Sequence, residues 1–338
     1  MKVAIYTPTY LKSPGTRYKV DMLRSAVARR HDAILVCDRS ESHLRFAYRL
    51  LAPSLFSRRS TWERVGRRIS GQVLEEKPDA VILITDIAAG ALPFLKESGV
   101  RTILSIEDLT SVWLKMSDPG PFLKHLRYFS GSADGIITVS DDLKGKLEKI
   151  GIPSQVVPHG LERIYVTEEE ALGRIGRGSS ASVLQAGQVN FLEEKKAFEA
   201  SITPIAKKYP VFSYSFGKYS QKLREEFPSL TWYDLPSPEE AITRTKSCSV
   251  GLVIRYNAER PTRLFYHASM LQPIVAIGGG WTKEVEGRSI GISSSPEGAL
   301  EAVDKIVSDY AMYVKSVKAF AEQNLLERAY APLMKMLG

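Results

Sequence analysis

The sequence predicts an α/β protein with two doubly wound, Rossmann-like domains that face a central cleft. Three observations lead to this fold class. The chain has 338 residues, which exceeds the size at which a single hydrophobic core stops growing and favours two domains. Short β-branched runs alternate with helical patterns, and this alternation is typical of a parallel sheet covered by helices. The alternation restarts after a polar stretch rich in Gly and Ser at 173–182.

The predicted strands fall into two sets of six. Val20, Leu23 and Val27 give the segment after the first strand one apolar helical face, as a helix that covers a sheet requires. The patterns predict an N-terminal domain over 1–160, a linker over 161–181, a second domain over 182–310 and a helical tail over 311–338 that can cross back to the first domain. The strands are predicted at 2–6, 33–37, 80–84, 101–106, 135–139 and 155–157, then at 182–186, 211–215, 229–233, 249–254, 273–277 and 289–292.

The fold class by itself does not select an activity, because dehydrogenases, epimerases and binding proteins use similar sheets. Residues 7–16 contain neither GxGxxG nor GxxxxGK(S/T), which removes the main support for a nicotinamide dehydrogenase and for a P-loop nucleotide hydrolase. The sequence lacks HExxH, and in its one GxSxG match, at 287–291, the serine begins a predicted strand instead of following one, so covalent hydrolase chemistry has no supported candidate. Ligands of doubly wound sheets bind at the carboxyl ends of the strands, and we expect the functional residues there.

The cysteines and histidines argue against a disulfide framework and a metal site. Cys37 and Cys248 are the two cysteines and form no CxxC pair, and the five histidines lack zinc-ligand spacing. No apolar run approaches the roughly 20 residues that a membrane-spanning helix needs. We therefore expect no metal, no cofactor and a cytoplasmic protein.

The positive charge is concentrated in one segment. The net charge is +8, and the stretch from Arg39 to Arg68 holds eight arginines against two glutamates. Leu44, Ala47 and Leu51 can share one face of a helix there. Such a segment suits an anionic bilayer, where each basic residue contributes about 1 kcal/mol, so we expect peripheral binding to the inner face of the membrane. A solvated arginine-rich helix and nucleic-acid binding are the alternatives, and no nucleic-acid-binding motif accompanies the charge.

Two blocks of the sequence resemble one enzyme family. Residues 133–140 read ADGIITVS and residues 156–162 read VVPHGLE, and these are similar to the interdomain passage of family-4 retaining glycosyltransferases, the glycosyl transferases group 1 of the GT-B fold. A generic strand–helix–strand unit would explain the apolar residues but not the VPHGLE ending. Residues 261–266, PTRLFY, together with 272–276, QPIVA, resemble the donor-site helix of that family and the strand after it. The resemblance covers nearly the whole chain and is weakest from 40 to 73.

The resemblance implies a hexosyltransferase that needs no metal. It would move a sugar with retention from a nucleotide-diphosphate sugar to a glycan or to a polyprenyl-linked or other lipid-linked acceptor, without nucleic acid as a partner. Two alternatives stay open. One is a catalytically inactive nucleotide-sugar-binding or scaffold protein of the same fold, and the other is a sugar-nucleotide epimerase.

The donor diphosphate requires backbone N–H groups and cationic side chains. Gly278, Gly279 and Gly280 permit close approach of the backbone, and Arg263, at the start of the preceding helix, can point into the same space. The donor contacts that the resemblance implies are Gly187, Gln188, Lys195, Lys196, Glu259, Arg263, Leu264, Tyr266, Gly278, Gly279 and Gly280.

The chain departs from the family pattern within this donor set. Gln188 occupies the position of a family arginine, and Lys195 and Lys196 come one or two places late. Because glutamine cannot neutralise a phosphate, we expect donor binding to depend on the two lysines and on Arg263, although the lysines can equally be solvated helix residues. Tyr266 stands where the family places a glutamate that binds the ribose. Glu259 is one residue short of the spacing for its acidic partner.

The N-terminal domain carries the candidate catalytic and acceptor residues. Glu107 follows the fourth predicted strand, where the family often has a histidine. In a retaining enzyme of this type the departing phosphate takes the acceptor proton, and Glu107 would orient the sugar or the acceptor. In an inverting enzyme Glu107 or Asp108 would be the general base, and the remaining alternative is an exposed loop acid or helix cap. We expect the loop after the first strand to bind the acceptor through Pro14, Gly15, Thr16 and Arg17.

Overall fold

The computed structural model describes residues 1–8, 14–37, 55–113, 116–175, 181–234, 238–256 and 259–338. These residues form two compact units. The first unit comprises Met1–Gly160 and Leu326–Gly338, and the second comprises Leu161–Leu325. The end of the chain therefore belongs to the first unit, and residues 161–175 of the predicted linker belong to the second.

Each unit contains one parallel sheet, so the predicted α/β class with two doubly wound sheets is confirmed. The predicted strands recur with shifts of one or two residues at their ends. In the first unit the strands are β1 (Lys2–Thr7), β2 (Asp32–Cys37), β3 (Ala80–Ile84), β4 (Arg101–Ile106), β5 (Gly135–Thr138) and β6 (Gln155–Val156). In the second they are β7 (Val183–Gln188), β8 (Val211–Phe216), β9 (Thr231–Trp232), β10 (Val250–Arg255), β11 (Ile274–Gly278) and β12 (Gly291–Ser293).

Helices connect the strands along both units. They are α1 (Pro14–Ala28), α2 (Arg59–Glu75), α3 (Leu92–Glu97), α4 (Thr110–Trp113), α5 (Gly120–Ser130), α6 (Asp141–Lys149), α7 (Glu168–Leu172), α8 (Leu192–Ala206), α9 (Ser220–Glu226), α10 (Pro238–Thr245), α11 (Thr262–Ser269), α12 (Thr282–Gly287), α13 (Ala299–Ser308), α14 (Tyr310–Gln323), α15 (Leu326–Ala329) and α16 (Ala331–Leu337). Two 3₁₀ turns lie at Asp86–Ala91 and Gly173–Ile175. Within the described residues, no helix is long and apolar enough to span a membrane.

The strand order of the first unit is β2-β1-β3-β4-β5-β6. One face of this sheet packs on α1, through the predicted apolar residues Val20, Leu23 and Val27, and on α15 and α16. The other face packs on α2, α3, α5 and α6, with Trp62 and Phe122 among the largest buried side chains. The strand order reverses between β1 and β3, and the carboxyl ends at such a switch point are where doubly wound sheets bind ligands.

The strand order of the second unit is β12-β11-β10-β7-β8-β9. Numbered from the first strand of this unit, the sheet has the 3-2-1-4-5-6 order of nucleotide-binding Rossmann folds, read from β9 to β12. Its switch point lies between β7 and β10, which pair directly through Val183–Val250 and Leu184–Gly251. The sequence after these two strands is therefore the first place to search for a ligand site.

Candidate functional site

The switch point of the second unit brings three strand ends together. The sheet order β11-β10-β7 makes these strands neighbours, and because all are parallel, their carboxyl ends meet at one edge. Gly187 lies one residue before the end of β7, Arg255 ends β10 and Gly278 ends β11. Strands that carry a glycine at or next to their carboxyl end therefore lie on both sides of the strand that ends in Arg255.

Arg263 packs its guanidinium group directly on Gly187. A Cβ atom added to Gly187 would lie 1.9 Å from Arg263 Nε and would displace the guanidinium group, and the φ of +122° at Gly187 itself favours glycine. Arg263 Nη1 also donates a hydrogen bond of 3.1 Å to the carbonyl oxygen of Ile254. Burial, reinforced by the positive charge of Arg255, lowers the pKa of Arg263 to about 9, while Glu194 opposes this shift.

Arg255 is held by a buried carboxylate. Its Nη1 donates to Glu194 Oε1 at 2.7 Å, and the side chains of Arg255 and Glu194 are 9% and 0% exposed. Glu194 Oε2 accepts hydrogen bonds from the backbone N–H groups of Asn190 at 3.0 Å and Phe191 at 3.4 Å. Glu194 therefore ties the loop between β7 and α8 to the end of β10.

The glycine segment after β11 packs on the same strand end. Gly278 has a φ of +140°, and an added Cβ would lie 1.8 Å from the carbonyl oxygen of Arg255. That oxygen accepts hydrogen bonds from Gly279 N at 3.1 Å and from Trp281 Nε1 at 2.8 Å. Gly280 is exposed. The start of the triplet thus packs on the backbone of Arg255.

The structure places other predicted donor residues outside this group. Lys195 is buried and forms ion pairs with Glu199 and with Glu226, the latter at 2.8 Å, which direct its ammonium group towards α9. Lys196 is exposed. Tyr266 donates or accepts a 2.9 Å hydrogen bond with the hydroxyl of Thr245.

Tyr266 also has the environment of a packing residue. It joins the apolar cluster of Leu184, Tyr214 and Met270, and burial raises its pKa. Leu264 is buried as well. The side chain of Gln188 lies outside the described part of the chain, although its backbone ends β7, and Glu259 is partly buried.

In the first unit, Glu107 directly follows β4 and is ion-paired. Its Oε2 accepts a hydrogen bond from Lys19 Nζ at 2.6 Å, and about 15% of each side chain is exposed. Lys19 belongs to α1, which begins just after β1. The ion pair thus connects the helix that follows β1 to the residue that follows β4. Asp108, the neighbouring acid, is partly buried.

A second acid of the first unit, Asp86, lies at the carboxyl side of β3. It is completely buried, and its oxygens accept hydrogen bonds from the backbone N–H groups of Ile87 and Thr110 and from the hydroxyl groups of Thr85 and Thr110. Thr85 has a φ of +96°, a strained conformation for a residue with a side chain. Burial raises the pKa of Asp86 to about 6, against the opposing hydrogen bonds.

The predicted acceptor residues lie in a helix rather than in a loop. Pro14, Gly15 and Thr16 form the first turn of α1, and proline at the first helical position is favourable because its missing N–H would have no partner there. Their side chains lie outside the described structure. Arg17 is exposed and pairs with Asp21 at 3.7 Å.

Packing explains the glycine in the sequence Pro158-His159-Gly160. An added Cβ on Gly160 would lie 2.8 Å from Leu326 Cδ2 and from Tyr330 Cε2, so only glycine admits the end of the chain here. Gly160 also receives a 3.4 Å hydrogen bond from Tyr18 Oη on its carbonyl oxygen. His159 is buried next to it.

Comparisons with known proteins identify the fold and the enzyme class. The model of Glycosyltransferase Family 4 matches residues 15–163, which are most of the first unit. HepE of Anabaena, solved with UDP, aligns with a TM-score of 0.69 at 11% identity and covers 100% of this chain and 99% of its own. This chain is a glycosyltransferase of the GT-B fold. A search of the curated proteins finds no match.

Two further structures resemble this glycosyltransferase over its full length. The UDP-forming α,α-trehalose-phosphate synthase of Burkholderia xenovorans, solved with glucose-6-phosphate, has a TM-score of 0.71 at 11% identity and 100% coverage of both chains. The sucrose-phosphate synthase of Thermosynechococcus elongatus has a TM-score of 0.71 at 13% identity and covers 99% of this chain and 97% of its own. At these identities the likeness concerns the fold.

The basic segment of the glycosyltransferase is described from residue 55 onwards, so Leu44, Ala47, Leu51 and the arginines from Arg39 to Arg49 lie outside the described residues. In α2, Trp62, Ile69 and Val73 are buried against the sheet. The arginines on the opposite side are exposed, and the guanidinium group of Arg59 lies 4.4 Å from the centre of the exposed ring of Tyr128. The exposed arginines are Arg58, which directly precedes α2, and Arg59, Arg64, Arg67 and Arg68 within it.

Four residues of the glycosyltransferase that lie at strand ends, or contact residues there, were not identified from the sequence. Asp86 and Arg255 each follow or end a buried strand, and that position was the available signal. Lys19 and Glu194 had no such signal, because each acts through a partner far away in the sequence. Within the described residues, no cluster of three or more His, Cys, Asp or Glu side chains could hold a metal ion.

Proposed function

We propose that this glycosyltransferase takes a hexose from a nucleotide-diphosphate sugar bound by the second unit and transfers it to a glycan or lipid-linked acceptor bound by the first. The observation that carries the donor site is the guanidinium group of Arg263, which lies against Gly187 at the switch point of the sheet. HepE was solved with UDP and with UDP-glucose, and the trehalose-phosphate synthase is UDP-forming, which makes UDP-hexose the first donor to test.

The chemistry of Arg263 suits a diphosphate. A guanidinium group presents a planar fork of N–H donors that matches phosphate oxygens. Burial and the charge of Arg255 lower its pKa to about 9, and a bound anion would counter both by stabilising the charged form.

We propose further that the transfer proceeds with retention and without a metal. Lys19 holds an oxygen of Glu107, and a carboxylate held by an ammonium group is better suited to orienting a sugar than to removing a proton. The departing phosphate would then accept the proton of the acceptor hydroxyl. Arg263 would stabilise the negative charge that develops on this phosphate.

The donor site is tested by thermal unfolding with UDP, GDP, ADP and dTDP. A nucleotide at 100 times its dissociation constant should add about 2.7 kcal/mol to the free energy of unfolding. Arg263→Ala should abolish the stabilisation, and Gly187→Ala should do so as well because the new methyl group displaces the guanidinium group. Lys208→Ala is the matched control, since Lys208 pairs with Asp304 on the surface of the same unit.

The outcomes separate the remaining alternatives. If none of the four nucleotides stabilises the wild-type protein, the donor proposal is wrong and a scaffold without nucleotide-sugar binding replaces it. If the protein isomerises a nucleotide sugar in the absence of any acceptor, it is an epimerase. If it releases nucleoside diphosphate only when an acceptor is present, transfer is established, and the anomeric configuration of the product decides between retention and inversion.

We also propose that the exposed arginines of α2 bind an anionic membrane surface and bring the enzyme to a lipid-linked acceptor. The buried face of α2 is packed on the sheet, so its arginine side is available to a surface. Each basic residue near an anionic bilayer contributes about 1 kcal/mol.

Vesicle cosedimentation tests the membrane proposal. Wild-type protein should sediment with vesicles that contain anionic lipid and should stay in solution with neutral vesicles. The triple variant Arg64→Gln, Arg67→Gln, Arg68→Gln should lose most of this binding. Lys222→Gln, Lys305→Gln, Lys315→Gln, which removes three exposed charges from the second unit, should retain it. Equal and negligible binding of the wild type to both vesicles would refute the proposal.

A further inference from the structure

Tyr128 is a large aromatic residue on the outer side of α5. The inner side of this helix packs Phe122, Leu126 and Phe129 into the core of the first unit. Among the large hydrophobic side chains that the structure describes, Tyr128 has the greatest exposed fraction, 55%. A single exposed ring needs no explanation, so the surroundings of Tyr128 decide what its exposure means.

Arg59 of α2 holds the exposed ring in place. Its Cζ lies 4.4 Å from the centre of the Tyr128 ring, and its Nη2 donates a hydrogen bond of 2.9 Å to the Tyr128 hydroxyl. Arg59 Nε also donates to Glu63 at 2.8 Å, and the ring of Phe129 stands at 89° to that of Tyr128. The ring is thus fixed in one direction before any partner binds, which reduces the entropy that binding costs.

A second arginine of α2 lies over a ring of α3. Cζ of Arg67 is 4.7 Å from the ring centre of Phe94, which is partly exposed. Arg67 follows Arg59 by eight residues, so the two arginine–ring pairs are about two helical turns, or roughly 12 Å, apart along α2. Together these side chains form what we call the arginine–aromatic surface, which consists of Arg58, Arg59, Arg64, Arg67 and Arg68 at α2, Phe94 of α3, and Lys124 and Tyr128 of α5.

The charge of this surface favours an anionic partner. Residues 58–70 include five arginines and one glutamate, and α5 adds Lys124 and Arg127 without an acid. Guanidinium groups bind phosphate oxygens through parallel hydrogen bonds, and the headgroups of anionic lipids present many such oxygens side by side.

The two rings favour a bilayer over a nucleic acid. Proteins that bind single-stranded nucleic acids use aromatic side chains as platforms on which bases stack. Here a guanidinium group already lies over one face of each ring, Arg59 on Tyr128 and Arg67 on Phe94. A bilayer needs no open ring face, because a tyrosine enters the headgroup layer with its apolar ring towards the acyl chains and its hydroxyl towards water.

We propose that Tyr128 is the membrane-inserting residue of the arginine–aromatic surface, and that its ring enters the headgroup layer of an anionic bilayer while the arginines around it bind lipid phosphates. The inference rests on the proposed membrane binding of α2. It extends the membrane-binding surface to α5, and it adds to electrostatic attraction an apolar contribution that salt does not screen.

The variant Tyr128→Trp measures the depth of this position on vesicles of phosphatidylcholine and phosphatidylglycerol. On binding, the emission of the new indole should shift to shorter wavelength and should be quenched by lipids brominated in their acyl chains. Wild type supplies the background of the four native tryptophans. Met312→Trp is the matched control, because Met312 is 51% exposed on α14 of the second unit, and its indole should stay unquenched.

Truncation of the side chain separates the ring from the charge. Tyr128→Ala should weaken vesicle binding about tenfold, whereas Tyr128→Phe should bind like the wild type because it keeps the ring. The tenfold ratio should persist when salt is raised from about 0.1 M to about 0.5 M, while the effect of the triple variant Arg64→Gln, Arg67→Gln, Arg68→Gln should shrink through screening. Melting temperatures establish that each variant is folded.

The outcomes distinguish this inference from the membrane proposal on which it rests. If wild type binds anionic vesicles but Tyr128→Ala binds them equally well, or if the indole of Tyr128→Trp is quenched no more than that of Met312→Trp, insertion of Tyr128 is refuted and membrane binding by the arginines stands. If wild type binds no vesicles, both proposals fail. Tighter binding to single-stranded DNA than to anionic vesicles would make the surface a nucleic-acid site and would also overturn the inference.

Discussion

Both carboxylate oxygens of Asp86 accept hydrogen bonds from Thr110, Oδ2 from the backbone N–H at 2.6 Å and Oδ1 from Oγ1 at 2.5 Å. Asp86 follows β3, and Thr110 begins the helix after β4. The short segment that carries Glu107 and Asp108 is thus fixed at its far end by a buried acid of the neighbouring strand. Glu107 directly follows β4, and its side chain is held by the ion pair with Lys19.

Removing the hydroxyl group of Thr110 should loosen this segment. Thr110→Val leaves a buried oxygen of Asp86 with one donor fewer, which should lower the free energy of unfolding by about 1–3 kcal/mol. Transfer activity should fall while UDP binding by the second unit is retained. Thr110→Ser keeps both hydrogen bonds and is the control for urea unfolding and for activity. Equal stability of Thr110→Val and Thr110→Ser would contradict the role assigned to this contact.

The raised pKa of Asp86 predicts a pH dependence of stability. The folded protein binds this proton with a pKa of about 6, above the ordinary value of 3.8. The contribution of this raised pKa to the free energy of unfolding is therefore fully present below pH 3.8. It is lost as pH rises through about 6, and the loss amounts to about 3 kcal/mol.

Urea unfolding of the wild type and of Asp86→Asn between pH 4 and pH 7 measures this contribution. Asparagine does not titrate, so the difference in unfolding free energy between the two proteins should change with pH in favour of the wild type at pH 4. A difference that stays constant over this interval would show that Asp86 does not titrate there.

The ion pair between Lys19 and Glu107 predicts how the first unit contributes to catalysis. If Glu107 orients the sugar or acceptor, Glu107→Gln should lower kcat by about tenfold, well below the 10²–10⁴ expected for loss of a general base. Lys19→Met should produce a similar decrease because it releases the same carboxylate. Lys144→Met, at a partly exposed position of α6, is the control.

The pH profile of kcat separates the two roles of Glu107. The profile should keep its shape in Glu107→Gln if the departing phosphate takes the proton. Loss of the acidic limb together with a decrease beyond 10² would instead assign Glu107 as the general base of an inverting enzyme.

Gly160→Ala should destabilise the first unit. Its methyl group would lie 2.8 Å from atoms of Leu326 and Tyr330, and overpacking of this kind costs about 1–3 kcal/mol. Gly145→Ala is a matched control in α6, because an added Cβ there meets no other atom within 4 Å. That control should raise stability by up to about 1 kcal/mol through helix propensity, and chemical denaturation measures both. A neutral Gly160→Ala would mean that α15 and α16 can shift away.

The candidate site was predictable where its residues follow the strand pattern. The glycines after β11 and the arginine at the start of α11 were located from their neighbouring strand, and Glu107 from the end of β4. The sequence did not distinguish Lys195, which turns towards α9, from a phosphate ligand, because its direction depends on Glu199 and Glu226. Tyr266 was equally ambiguous, since an aromatic side chain can pack or bind and only its neighbours decide.

The sequence by itself determined the two parallel sheets, since the alternation of buried β-branched runs with amphipathic helices is local and repeats along the chain. It also located the end of each strand to within two residues. Only the tertiary structure decided which strand ends are neighbours, and therefore that Arg255 lies beside Arg263, that Lys19 meets Glu107 and that Asp86 holds Thr110. The physical reason is that a charged or polar side chain gains its partner through the order of strands in the sheet, which brings together residues 61 to 88 positions apart in the pairs of Glu194 with Arg255 and Lys19 with Glu107.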